Sequence, residues 1–426
     1  MAIKYGLHLK VRTVKNFLMS LLFVLYFPKF ITRIVDIPYW RLVCYILILI
    51  ADVYFIYVMR KLKPPVITVG VFFLYFFLVT VIRDPEDILF CGARMFTGIS
   101  FVLMLEFIFD RYSKARILDI LMFAMEIFLY VNLISMILYP AGMYRVITNG
   151  IYEELVPVAK NDVRTNARVI WLLGHQTMLI QFTLPAVCIA LLYWYNRRKE
   201  KKVNLRSLSL IIVCIIETMI ANSAGNYMIL VLFAAFCLYF IFKGKINNVM
   251  VYVGIVAIYI LAINLSENTW LLSILSDKLG RTVSVSTRIP IWKNAISAWL
   301  KKPLFGYGYI NESSSIIRNL LSLGNPHSSY LWALFEGGIV GFVLLFYMIN
   351  LFGKNMKDHW KSRSALIIYS AFICLLICMI DDDHIFRTPF FLVIFSLAYH
   401  IPQMATDEDK ELSHIASLRK NKRLKG

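Results

Sequence analysis

Pro65-Val-Ile-Thr-Val-Gly-Val-Phe-Phe-Leu-Tyr-Phe-Phe-Leu-Val-Thr-Val-Ile82, preceded by Arg60-Lys-Leu-Lys63 and followed by Arg83-Asp-Pro-Glu-Asp87, is the stretch that decides the fold. No Asp, Glu, Lys, Arg or His interrupts it, and about twenty apolar residues at ~1.5 Å each cross the ~30 Å hydrocarbon core of a bilayer. The pattern recurs along the chain. Candidate spans run near 17–34, 40–59, 65–82, 88–109, 117–139, 175–195, 207–221, 225–242, 249–265, 327–351, 365–380 and 385–401. With 59% hydrophobic and 17% charged residues, the chain holds more apolar side chain than a water-soluble domain of 426 residues can bury, so lipid is part of its solvent. The first apolar run is followed by others, so it reads as a span that acts as its own insertion signal and not as a cleaved leader.

The basic residues give the orientation. Every second connection is basic: Lys4/Lys10/Arg12/Lys15, Arg60/Lys61/Lys63, Arg111/Lys114/Arg116, Arg197/Arg198/Lys199/Lys201/Lys202/Arg206, Lys243/Lys245, Lys354/Lys357/Lys361/Arg363 and the tail Arg419/Lys420/Lys422/Arg423/Lys425. Cations are retained on the cytoplasmic side, so both termini are expected in the cytoplasm of a bacterial cytoplasmic (inner) membrane. This clustering also turns the net charge of +19 into a topology signal and argues against nucleic acid as a partner. The expected fold is all-α: a polytopic bundle of about twelve transmembrane helices over residues 1–402, followed by a charged cytoplasmic tail, 403–426. The seven cysteines fall in or at the edges of apolar segments with no CxxC pair, which argues against disulfides and zinc.

Most external connections are brief, but two are long, at about 140–174 and 266–326. Long loops in a compact fold are usually functional, so the chemistry is sought there. The second holds Lys278, Arg281, Arg288, Lys293, Lys301, Lys302 and Arg318 against Glu267, Asp277 and Glu312; the first adds Arg145, Lys160, Arg164 and Arg168. Guanidinium groups grip a phosphate or diphosphate bidentately, although a merely solvated basic surface has the same composition. Trp292, Ala295, Ile296 and Trp299 recur at helical spacing, the pattern of a helix at the membrane surface with its tryptophans at headgroup level. Ile316, Ile317, Leu320 and Leu321 form a second short apolar stretch. His175, His327 and His384 are expected at the outer face, where an imidazole can serve as a base. Asp52, Arg94, Glu126, Glu217 and Glu336 are ionisable residues inside spans, where charge is costly and tends to face a polar cavity. Arg94 and Glu217 are both placed toward the outer leaflet, lining one cavity or ion-paired for packing.

The sequence reads as having no Walker loop, no GxGxxG after a strand, no HExxH and no DxD-like nucleotide-sugar pair in an extramembrane loop, so no metal or cofactor is expected and the substrate must arrive already activated. Three elements then recur in order: Ser286-Thr-Arg-Ile-Pro-Ile-Trp-Lys-Asn-Ala295, Lys302-Pro-Leu-Phe-Gly-Tyr-Gly308, and Asn325-Pro-His-Ser-Ser-Tyr-Leu331 through Glu336-Gly-Gly-Ile-Val-Gly341. Together they resemble the signature of the O-antigen ligase and polymerase superfamily. The resemblance implies a membrane glycosyltransferase of GT-C-like build, acting on glycans carried by polyprenyl diphosphate at the outer face. By resemblance, Arg288 grips the donor diphosphate and His327 stands beside the reacting sugar. Arg168-Val-Ile-Trp-Leu-Leu-Gly174-His175 looks like the family's other arginine element, with Arg164 as a second possibility. Arg281, Arg94, His175 and Trp292 complete the expected substrate-binding set. The favoured reading is a metal-independent, inverting polymerase of repeat units for surface or capsular polysaccharide, with donor and acceptor both lipid-linked. A chain-length regulator and a flippase are its expected pathway partners. The open alternatives are a ligase that moves the glycan to a terminal acceptor, or a transporter of lipid-linked glycans.

Overall fold

A computed structural model describes residues 2–34, 39–140, 142–148, 152–157, 170–197, 204–243, 254, 284–309, 326–359, 362–383 and 388–405. The expected span at 249–265, apart from Gly254, and the tail beyond 405 lie outside the described residues. So do Arg164, Arg168, Arg281, His384 and the 316–321 stretch.

The helices are α1 (Ala2–Leu25), α2 (Pro28–Thr32), α3 (Trp40–Met59), α4 (Pro64–Arg83), α5 (Ile88–Arg111), α6 (Lys114–Leu138), α7 (Ile180–Arg197), α8 (Leu205–Ala221), α9 (Ala224–Lys243), α10 (Ser284–Lys301), α11 (Ser329–Gly353), α12 (Arg363–Asp381) and α13 (Phe391–Tyr399). Local chemistry sets their ends. Pro64 and Pro65 occupy the first turn of α4, where a missing N–H costs nothing. Asn204, Ser328 and Ser362 cap α8, α11 and α12 with side-chain oxygens. Seven helical segments among the described residues are long and apolar enough to cross a membrane, starting at Trp40, Pro64, Pro85, Lys114, Gln176, Ser329 and Arg363; Thr13–Leu25 and Gly225–Phe240 are shorter apolar helices. The chain is a multi-pass helical membrane protein, with seven of the twelve expected spans meeting that test.

The first long loop carries structure that period-3.6 reasoning did not reveal. Strands β1 (Met143–Thr148), β2 (Tyr152–Pro157), β3 (Ile170–Trp171) and β4 (Gly174–His175) form an antiparallel sheet in the order β2-β1-β3-β4.

Phe390 holds the centre together. Its ring lies 4.7 Å from Phe182, 5.1 Å from Phe128, 5.2 Å from Phe101 and 6.4 Å from Phe27, joining α13 to α7, α6, α5 and the α1–α2 corner. Packing of this kind, and not expulsion from water, drives helix association in lipid. The five ionisable residues expected inside spans are distributed among four separate pairings, and Glu106, buried as well, pairs with His400 at 3.0 Å. Asp52 accepts from Ser100, Glu126 forms a two-pronged pair with Arg206 at 2.6 Å, Asn132 donates to Glu217 at 3.0 Å, and Arg94 pairs with Glu336 at 3.4 Å. Arg94 and Glu217 therefore do not face each other: each has its own partner on a different pair of helices.

Candidate active site

The geometry around His327 starts with a break in a helix. α11 is interrupted at Gly338, whose φ of 62° and ψ of −162° are open only to glycine. A break inside a span frees backbone groups that lipid cannot satisfy, at several kcal/mol each. The segment 303–308 satisfies them. Tyr307 and Gly308 donate N–H to the carbonyls of Phe335 and Glu336 at 3.0 and 2.9 Å, while Ile339 and Val340 donate to Pro303 and Leu304 at 2.8 and 3.3 Å. The approach is so close that a Cβ on Gly306 would lie 2.5 Å from the Glu336 carbonyl oxygen. Glu336 itself is fully buried at the break and is met by Arg94, whose guanidinium stacks 3.9 Å from the Tyr309 ring centre. Burial pushes the Tyr309 hydroxyl up to about 12, so it is neutral at physiological pH.

The same strap fixes α10. Tyr307 donates its hydroxyl to the Ala298 carbonyl at 3.0 Å, and Trp299 donates its indole N–H to Pro303 at 3.1 Å. Trp292 is buried, as are Ala295 and Ala298, and its indole N–H donates to the Pro326 carbonyl at 2.9 Å. Trp292 is thus a fastener inside the protein instead of an anchor at headgroup level. Arg288 lies on α10 one turn before it.

Pro326 adjoins His327, which takes a left-handed backbone with φ 46°. The turn is bolted to the end of α12: Ser329 donates both its N–H and its hydroxyl to the Asp382 carbonyl, at 3.1 and 2.9 Å. In consequence a ring nitrogen of His327 and carboxylate oxygens of Asp382 and Asp383 all lie within 4.8 Å of one another. His327 is half-buried and both aspartates are buried. An imidazole beside two carboxylates is oriented by them and stabilised when it takes up a proton. The same trio is also of the type that holds a divalent cation. Sequence reasoning passed over Asp382 and Asp383, which fall in one of the brief external connections; the run Asp381-Asp-Asp383, itself of the DxD form not expected in a loop, was the available signal.

His175 sits on β4, in a turn secured by three polar side chains from other elements, two of them buried. Asn132 accepts from the Leu173 N–H at 3.0 Å, Arg33 donates to the Leu172 carbonyl at 2.6 Å, and Asn226 donates to the Gln176 carbonyl at 2.7 Å. Six residues after His175, Gln181 at the start of α7 accepts from Thr388, three residues before α13, so the starts of α7 and α13 are tied together. The described site therefore joins His327, Asp382 and Asp383 with one another, and Trp292 to them through Pro326. Arg94 is held at the α11 break by Glu336, and His175 lies on the β4 turn.

Residues 208–346 match the O-antigen ligase family model. The match runs from the first turn of α8 to Phe346 in α11, including Arg288, Trp292, His327 and Glu336, and supports the O-antigen ligase and polymerase superfamily. A Haemophilus influenzae protein with no stated function is 24% identical over 214 residues, covering 44% of this chain and 53% of that protein. An O-antigen ligase of Pseudomonas aeruginosa is 30% identical over 80 residues, 19% of each chain. The chain thus spans about half the length of the first relative and about a fifth of the second.

Proposed function

We propose that this chain transfers a glycan from polyprenyl diphosphate to an acceptor sugar hydroxyl at the outer face of the membrane, and that it polymerises lipid-linked repeat units. The observation that supports the reading is the grouping of His327 with Asp382 and Asp383 within 4.8 Å, mounted through Pro326 on the helix that bears Arg288. In this mechanism His327 takes the proton of the acceptor hydroxyl as that oxygen attacks the anomeric carbon. The two carboxylates hold the ring and offset the positive charge it gains. The bond from the anomeric carbon to the diphosphate breaks, and Arg288 with Arg168 or Arg164 neutralises the charge left on the departing diphosphate. Attack opposite the leaving group inverts the anomeric centre. The chemistry needs no redox partner and, on this reading, no metal.

A second reading, transfer to a terminal acceptor, is favoured by the names of the matching family and of the Pseudomonas relative, both O-antigen ligases. Purified protein given only the lipid-linked repeat unit separates the two. Longer lipid-linked products mean polymerase; products that require an added terminal acceptor mean ligase. Chelating agents are expected to leave the rate unchanged, whereas a loss restored by a divalent cation would turn the His327–Asp382–Asp383 trio into a metal site.

A further inference from the structure

At the other end of α5 lies a cationic cleft that glycan transfer does not use. Arg94, near the proposed site, and Arg111 are seventeen residues apart on one helix, about 26 Å at ~1.5 Å per residue. There a cavity of about 460 Å³ is lined by Tyr57, Val58, Arg60 and Arg111. Arg111 donates to the Val58 carbonyl and lies 3.3 Å from Asp110, so it is held across the α3–α5 junction. Asp110 is shared with Lys63 at 2.7 Å. The Arg60 guanidinium has no ion-pair partner among the described residues. Arg60 and Arg111 line the cavity and Lys61 and Lys63 follow Arg60 in the chain, while Asp110 pairs with Lys63 and Arg111, so cations outnumber the carboxylate paired with them among the described residues.

One flank of the cavity is apolar and outward-facing. Ile46, Ile50, Val53 and Tyr57 recur every three or four residues along α3, and all are exposed, Tyr57 at 80%. In a membrane protein that stripe is a lipid-facing surface, and it ends at the arginines. A free phosphate would use only the cations; a molecule with an anionic head and an apolar tail uses both. Arginine forks fit a phosphate bidentately, and basic pockets between spans on the positively charged side of a bundle suit anionic headgroups.

We infer that the cleft between the ends of α3 and α5 binds one anionic phospholipid, its phosphate on Arg60 and Arg111 and an acyl chain along Tyr57, Val53, Ile50 and Ile46. The site is independent of the glycan reading. The test is native mass spectrometry of the full chain released from mixed phosphatidylglycerol and phosphatidylcholine nanodiscs. The expected result is one phosphatidylglycerol retained in preference to phosphatidylcholine, with retention falling about tenfold in Arg60→Ala and unchanged in Lys357→Ala, an exposed cation outside the cleft. Because Arg111 also caps α3, Arg60→Ala carries the test, with thermal unfolding confirming an intact fold. A thermal-shift arm with inorganic phosphate and with short-chain phosphatidylglycerol is expected to respond to the lipid only. Equal retention of both lipids, retention insensitive to Arg60→Ala, or an equal response to inorganic phosphate would overturn the assignment.

Discussion

At His327 a left-handed backbone, two buried carboxylates and a proline carbonyl held by Trp292 coincide within one turn. The left-handed conformation makes His327→Asn the informative substitution, because asparagine tolerates φ > 0 and cannot act as a base at neutral pH. Glycan transfer by His327→Asn is expected to fall at least ~100-fold, the usual contribution of a positioned general base, with the melting temperature in detergent little changed. Asp383→Asn, which keeps the side-chain shape and removes a charge facing the imidazole, is expected to lose about tenfold in the same assay. An unaltered rate for His327→Asn would remove the proton-transfer role from this residue.

The elements around the site depend on the strap 303–308 and the break it fills. Gly338→Ala would place a Cβ 2.3 Å from the Leu304 carbonyl oxygen at a φ of 62°. A loss of at least about 2 kcal/mol of stability is expected, read as a lowered melting temperature in detergent. Arg94→Ala leaves Glu336 buried without its guanidinium and is expected to cost about 3 kcal/mol or more, with part regained in the Arg94→Ala/Glu336→Gln double variant. Trp292→Phe keeps the ring but deletes the hydrogen bond to Pro326, so activity should drop further than the ~1 kcal/mol of stability one hydrogen bond contributes. Part of this was legible in the sequence. The Lys302–Gly308 and Glu336–Gly341 motifs marked both segments, and helical spacing marked α10. Their interlocking was not legible, because a backbone-to-backbone strap across some thirty residues leaves no periodic trace. Nor was the fastening of the His175 turn by Asn132, Arg33 and Asn226, whose roles arise only when separate helices converge.

At the scale of the molecule, runs of apolar residues announced the spans directly, since length and hydropathy are properties of the chain alone. Trp40–Met59 and Pro64–Arg83 follow the expected bounds closely. The four-stranded sheet escaped because Ile170–Trp171 and Gly174–His175 are too short to show a period of two, while the six-residue strands Met143–Thr148 and Tyr152–Pro157 do not alternate apolar with polar residues. The same reading expects basic connections in the cytoplasm. A fluorescent reporter that matures only there should be active when fused after Gly426, and a phosphatase reporter that works only after export should be active when inserted in 266–326. The account as a whole rests on glycan transfer at the His327 turn. It is tested most directly by incubating the purified, reconstituted chain with a polyprenyl-diphosphate repeat unit and resolving the products by length. A ladder of longer lipid-linked glycans is expected from the native chain and none from His327→Asn. The contradicting result would be unextended substrate from the native chain with or without a terminal acceptor, or the same ladder from both proteins.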